Sequence, residues 1–249
     1  MIMAETQNRF YSSISKYYSE IFPNNPAQPQ FVKRNAGELT GQQILDIGCA
    51  TGELAFQLAK SGANVTGIDL NDDLLKHAKT GKVHPNLIFQ KGNMLELQKD
   101  FQPKSFDTVL CFGNTLVHLP SLQLISEMLS GVHSVLKPGG FLLLQILNYD
   151  YILSEQVTEL PLIETDNIKF IRHYDFTENS SMISFETELH LKQEGKVISN
   201  KTPLFALKSN ELRNLLEKAG FESIKLFANF KEEPFGRKHL PLVVKAVKL

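Results

Sequence analysis

The sequence predicts an open α/β fold: a doubly wound, mostly parallel sheet covered by helices, with a small antiparallel β insertion. Three observations lead there. From Gln43 onward, short apolar runs alternate with helical patterns. The stretch ILDIGCATGE, 44–53, passes from a buried strand through a glycine loop straight into a helix. After Tyr151 the rhythm changes to period-two stretches joined by polar turns, which is antiparallel patterning.

Each element has its own signal. Gln43 to Ile47 is an apolar strand broken only by Asp46. A helix over about 52–61 puts Leu54, Ala55, Leu58 and Ala59 on one face, with Gly62 as its stop. NVTGID, 64–69, is the second strand, and Asn71 is placed to cap a helix over 72–79. LIFQ, 87–90, and FDTVLCF, 106–112, are the third and fourth strands. Leu122, Ile125, Met128, Leu129, Val132 and Val135 set a helix over 121–136, ended by Lys-Pro-Gly-Gly, and 141–147 is the fifth strand. Residues 168–175, 182–192 and 196–206 read as three strands, joined by TENSS and QEG. NELRNLLEKA is a helix stopped by Gly220, followed by strands at 222–229 and 241–248. The segment FYSSISKYYSEIFP, 10–23, has helical stretches.

The 249 residues suit one α/β domain with an accessory piece, and 42% hydrophobic residues suffice for a core. A net charge of −1 gives no electrostatic footprint for nucleic acid. Cys49 and Cys111 lack metal-ligand spacing and read as free thiols in a reducing compartment. The N-terminus is too polar for a signal peptide, and no run has the roughly 18 apolar residues of a membrane span. The expectation is a cytoplasmic protein with no metal, no membrane and no nucleic-acid partner.

In open parallel sheets, ligands bind outside the carboxyl ends of the strands. Here Gly48 and Gly52 give a G-x-x-x-G spacing, and Asp46 lies two residues before the first glycine. A carboxylate repels a pyrophosphate and suits an ammonium or another cation. That speaks against a nicotinamide oxidoreductase. Asp69 ends the second strand, where an acid in nucleotide sites accepts hydrogen bonds from ribose hydroxyls. A strand-end turn acid without a ligand explains either residue alone, but less readily both in order. The loop therefore fits a ribonucleoside bearing an amino acid and a positive charge.

ILDIGCATGELAFQLAKSGANVTGIDL resembles the first two motifs of the class I S-adenosylmethionine-dependent methyltransferases. The similarity runs from about residue 40 to 147 and returns at 209–248. It implies a Rossmann-like sheet of seven strands, the last antiparallel, and S-adenosylmethionine as cofactor. By the same resemblance Gly48, Cys49, Ala50 and Gly52 wrap the methionine portion. Ala50 stands where glycine is commoner, which is tolerable if its φ stays negative. Asp69 would hold the ribose, and Leu70 would pack on the adenine. Asn93 and Met94 follow Gly92 where the family has an acid, and are expected at the adenine; a simple turn is the alternative. Phe112, ending the fourth strand, and Tyr18 are counted with the cofactor contacts.

CFGNTLVHLPS, 111–121, and NYDYIL, 148–153, resemble short motifs of the glycine and sarcosine N-methyltransferases. Where that group has a carboxylate-gripping arginine, this chain has Leu147, so glycine is not expected as substrate. Asn114 is a candidate to orient the acceptor and His118 a candidate base, or a histidine that only packs. Tyr149 or Tyr151 could lend a phenol to the acceptor or belong to lid packing. Tyr11 and Tyr18 could face the sulfonium, or form an ordinary amphipathic stripe. Arg34 could reach the cofactor carboxylate or lie in solvent.

The expected organisation is an N-terminal cap (1–40), a cofactor-binding core (41–150), an antiparallel lid (151–207) and the completion of the core (208–249). The expected activity is direct in-line methyl transfer to a small-molecule acceptor. A cofactor-binding protein without transferase activity is the alternative.

Overall fold

The computed structural model describes residues 2–176, 180–236 and 238–249. The chain opens with helix α1 (Ile2–Ile14), a 3-10 turn (Ser15–Tyr17), α2 (Tyr18–Ile21) and α3 (Ala27–Ala36). Then come β1 (Gln43–Ile47), α4 (Glu53–Lys60), β2 (Asn64–Asp69), α5 (Asp72–Gly81), β3 (Leu87–Lys91), α6 (Leu97–Asp100) and β4 (Phe106–Cys111). A 3-10 turn (Thr115–His118) leads to α7 (Leu122–Val135), β5 (Leu136–Leu147) and α8 (Tyr149–Ser154). The insertion contributes β6 (Ile163–Glu164), β7 (Ile168–Phe176), β8 (Met182–Leu191) and β9 (Lys196–Phe205). Helix α9 (Ser209–Lys218), β10 (Phe221–Phe227) and β11 (Pro241–Lys248) close the chain.

Seven strands form one sheet in the order β10-β11-β5-β4-β1-β2-β3. The β1–β2, β2–β3, β1–β4 and β4–β5 pairs are parallel, and β11 runs antiparallel between β5 and β10. This is the predicted seven-stranded, mostly parallel sheet. Both faces are covered. Val109, Leu142, Leu144 and Ile146 pack with Ile125, Leu129 and Val132 of α7 on one side. Ile44, Leu110, Leu143 and Val243 pack with Phe31, Ala55 and Leu58 on the other. Alternate strand residues thus serve two cores, which is why these strands are apolar throughout. Asn71 and Ser121 cap α5 and α7, their side chains accepting from Leu74 N–H at 2.9 Å and Leu124 N–H at 3.3 Å.

Three differences from the sequence reading stand out. The fifth strand begins at Leu136, because Lys-Pro-Gly-Gly is taken up into an irregular start of the strand beside β4 rather than a turn before it. NYDYIL forms α8, capped by Asn148, whose Oδ1 accepts from Tyr151 N–H at 3.3 Å. The insertion has four strands, in the order β6-β7-β8-β9, because two-residue β6 pairs at Ile163 and Glu164 and is too short to read as a run.

The N-terminal helices and the insertion pack on each other. Phe10, Ile14 and Ile21 share a core with Ile168, Phe170, Leu189 and Leu191. Glu20 accepts hydrogen bonds from Thr165 and Asn167, and Tyr17 donates to Glu194 at 3.0 Å. The α1 segment is also tied to the α/β core. Asn71 Nδ2 donates to the Asn8 carbonyl and to Ser12 Oγ, both at 3.0 Å. No helix among the described residues is long and apolar enough to cross a membrane.

Candidate active site

After β1 the chain folds across the end of β2: Gly48 and Cys49 N–H both donate to the Ile68 carbonyl, at 2.8 and 3.0 Å. Gly48 has φ +73°, and a Cβ there would stand 2.6 Å from Thr115. Gly52 has φ +77°, and a Cβ would stand 2.2 Å from the Phe89 ring. Backbone conformation and close approach therefore both require glycine at these two positions.

Ala50 departs from expectation. Its φ is +48°, so the negative φ supposed for it does not hold. The cause is local: Ala50 N–H is turned onto Asp69 Oδ2, 2.9 Å away. A left-handed alanine costs roughly 1–2 kcal/mol. Ala50→Gly is expected to stabilise the protein by about 0.5–1 kcal/mol after the entropy of the unfolded glycine is counted. That corresponds to a melting temperature higher by about 2 °C, readable by calorimetry.

Asp69 Oδ1 accepts Asn71 N–H at 2.9 Å, so each carboxylate oxygen holds one backbone donor and keeps acceptor capacity. Burial raises its pKa, against the lowering effect of those N–H groups. Asp46 is 4% exposed. Burial, then the neighbouring Asp69 charge, pushes it up to about 7.

Tyr18, Gly48, Ala50, Asp69, Leu70, Met94 and Phe112 line a single cavity. Asp46 and Cys49 line an adjoining one that shares Tyr18, Gly48, Ala50 and Phe112 with it. Gly52 and Asn93 line neither. Gly52 sits behind the loop at the start of α4. Asn93 Oδ1 accepts Leu95 N–H at 3.0 Å, so its amide closes the turn, leaving Gly92 and Met94 at the cavity. Gln7, Thr115 and Gly113 also line the cavity and escaped the sequence reading. Thr115 lies within the GNTLVH stretch that carried a signal; Gln7 had none, because only the fold of α1 brings it there.

His118 lines the same cavity, with Nε2 2.9 Å from the Tyr11 hydroxyl. Burial pulls its imidazole down to about 4, so it is neutral at pH 7. Asn114 and Tyr149 are placed otherwise than expected for residues at the acceptor. Asn114 has φ +67°, which turns its side chain onto β5. Its Oδ1 accepts Leu147 N–H at 2.9 Å and its Nδ2 donates to Tyr149 Oη at 3.0 Å. Tyr149 is fully buried. Both amide ends are thus engaged in fastening the loop after β4 to β5 and α8. Asn114→Ala is expected to cost about 2–3 kcal/mol, since it strands a backbone N–H and a buried phenol; chemical denaturation measures it. Tyr151 is half-buried on α8, and neither cavity includes it. Arg34 is away from the site, donating to the Phe230 carbonyl and lying 3.5 Å from Glu232.

Residues 44–140 match the family model described as a methyltransferase domain. Glycine N-methyltransferase of Rattus norvegicus is 33% identical over 124 residues, covering 45% of this chain and 42% of that protein. A ubiquinone biosynthesis O-methyltransferase of Shewanella pealeana is 32% identical over 160 residues, covering 59% of this chain and 65% of that protein. The chain therefore spans less than two thirds of each of these relatives. Among solved structures, an S-adenosylmethionine-dependent methyltransferase of Clostridium acetobutylicum superposes with a TM-score of 0.80 at 16% identity, over 96% of this chain and 99% of that one. CcbJ methyltransferase of Streptomyces caelestis gives 0.79 at 21% identity, over 95% and 96%. Residues 44–140 thus carry a methyltransferase domain, and the chain has the fold of the solved S-adenosylmethionine-dependent methyltransferase on which it superposes; the cofactor this implies is S-adenosylmethionine.

The residues present fit that cofactor. Asp69 retains acceptor capacity toward ribose hydroxyls, Leu70 and Met94 offer apolar surface for a base, and the glycine loop admits close backbone approach. Asp46, lining the adjoining cavity, is the acid that would face an ammonium group.

Proposed function

We propose that the protein methylates a small-molecule acceptor with S-adenosylmethionine. The observation that carries this reading is that the cofactor-side residues Asp69, Gly48 and Met94 and the acceptor-side residues Tyr11, Thr115 and His118 line one cavity. When bound, the cofactor would supply a methyl carbon activated toward an acceptor lone pair by the cationic sulfur, which would leave with the C–S bonding pair.

The chain's own work is to position and to exclude water. The Tyr11 and Tyr18 rings lie 6.2 Å apart, and burial raises both phenols, which stay neutral and electron-rich toward a cation. His118 orients through a hydrogen bond. With its pKa near 4 it is a weak base, so the acceptor's reactive atom has to arrive already unprotonated. Residues 1–40 act as a cap and 151–207 as a lid, joined through the Phe10, Ile14 and Phe170 core. A net charge of −1 supports an acceptor that is neither nucleic acid nor membrane, and two free thiols support the cytoplasm.

The test is to incubate the purified chain with S-adenosylmethionine and a panel of small amines, hydroxy compounds and thiols, and to follow S-adenosylhomocysteine. Acceptor-dependent product is expected. Tight binding of S-adenosylhomocysteine without turnover on any acceptor would favour a binding protein instead.

A further inference from the structure

The inner face of the insertion sheet holds polar side chains with no protein partner. Strand register places Arg172, Thr187 and Asn200 in one row across β7, β8 and β9, and Tyr174, Phe185 and Thr202 in the next. Alternation puts both rows on the side of Phe170 and Leu189, which pack on α1. Asn200 is satisfied by Ser13 of α1 at 3.0 Å. Arg172 Nε, Thr187 Oγ1 and Thr202 Oγ1 are buried without a hydrogen-bond partner among the described residues, as is His118 Nδ1; the Tyr174 hydroxyl lies toward that of Tyr149. Thr187 and Thr202 are 2% and 1% exposed. Buried polar groups are ordinarily paired, so a cluster of orphans on one sheet face is what a polar ligand would satisfy.

The same face is linked to the cavity by a chain of rings. Tyr174 lies 6.5 Å from Tyr149 and 5.6 Å from Phe185, Phe185 lies 6.0 Å from Phe10, Phe10 lies 4.8 Å from Tyr11, and Tyr11 lies 5.6 Å from His118. Arg172 is the one charged side chain in the two rows. Its Nη2 donates to the Pro161 carbonyl at 2.6 Å, which holds the guanidinium, and its register partner on β8 is Thr187. The charged residues Asp175, Glu186 and Lys201 point to the opposite face, where they pair with one another.

Resting on the methyltransferase reading, we propose that this inner face binds the methyl acceptor and that the acceptor carries a carboxylate, held by Arg172 Nε–H and the Thr187 hydroxyl. Tyr174, Thr202 and His118 then contact the body of the molecule. One cation and one hydroxyl match a singly charged carboxylate. Two residues along a strand span about 7 Å, so the carboxylate end is separated from the row nearer the cofactor by roughly the length of a benzene ring with its substituents.

The experiment is calorimetry on the full chain loaded with S-adenosylhomocysteine, titrated with 4-hydroxybenzoate against phenol and with 6-aminohexanoate against hexylamine. At least one carboxylate is expected to bind about 30-fold more tightly than its partner lacking the carboxylate. In Arg172→Met that ratio is expected to fall to about threefold, and Arg172→Lys to recover part of it; Thr187→Val gives a second, milder loss should Arg172→Met fold poorly. A ratio near one in the unaltered protein, or a ratio that survives both Arg172→Met and Thr187→Val, overturns the proposal. Affinity for S-adenosylhomocysteine, measured in the loading step, reports separately on the methyltransferase reading.

Discussion

Asp46→Asn is expected to stabilise the ligand-free protein by about 4 kcal/mol at pH 8 and by about 1–2 kcal/mol at pH 5. The folded carboxyl titrates near 7 instead of its ordinary 3.8, because burial first, and the Asp69 charge second, disfavour the anion. Between pH 4 and 7 the folded protein keeps a proton that the unfolded chain has released. Stability contributed by this group therefore falls as pH rises through that window, and asparagine removes the fall. Neutral, buried His118 acts with the opposite sign: its folded pKa near 4 makes stability rise between pH 4 and 6.5. The pH profile of the unaltered protein mixes both slopes, so the difference between variant and parent is the quantity to measure, by denaturant titration at the two pH values. A difference that does not change between pH 5 and 8 would refute the raised Asp46. A cationic ligand favours the anion, so binding of S-adenosylmethionine below pH 7 is expected to release a proton and to be tighter at pH 8 than at pH 6. Asp46→Asn should weaken that binding and abolish its pH dependence.

Asp69→Ala is expected to weaken S-adenosylhomocysteine binding by about 1–3 kcal/mol, the loss of charge-assisted hydrogen bonds. Asp69 ends β2, next to the loop leaving β1, and lines the cavity. Its carboxylate also fastens Ala50 and Asn71 N–H, so the same substitution loosens the loop. Asp69→Asn separates the two effects, since an amide oxygen still accepts from one of those N–H groups. Calorimetry that finds an unchanged dissociation constant in the alanine variant would remove Asp69 from the ribose.

The α/β core was readable because its signals are local. Apolar strands, helical spacing and the Asn71 and Ser121 caps each act within a few residues, and together they demand a sheet buried on both faces. Part of the cavity lining was legible for the same reason: Gly48 and Asp69 lie at strand ends and Met94 in the turn after β3, and in this fold strand ends converge. Where the reading missed, backbone conformation and the hydrogen bonds it sets up decided. Ala50 is forced to positive φ by a bond to Asp69, and Asn114 is turned onto β5 by its own left-handed backbone. Asn93 closes a turn rather than facing the cavity.

The sequence by itself determined the fold and which residues lie at the strand ends, Asp46, Gly48 and Asp69 among them, since these follow from periodicity. Only the tertiary structure decided that His118 meets Tyr11, that Asn114 and Tyr149 fasten a loop, and that Arg172, Thr187 and Thr202 share one buried face. The first depends on α1 folding over the core across 107 residues, the second on the loop after β4 meeting β5 and α8, and the third on strand register within the insertion, none of which a local pattern records.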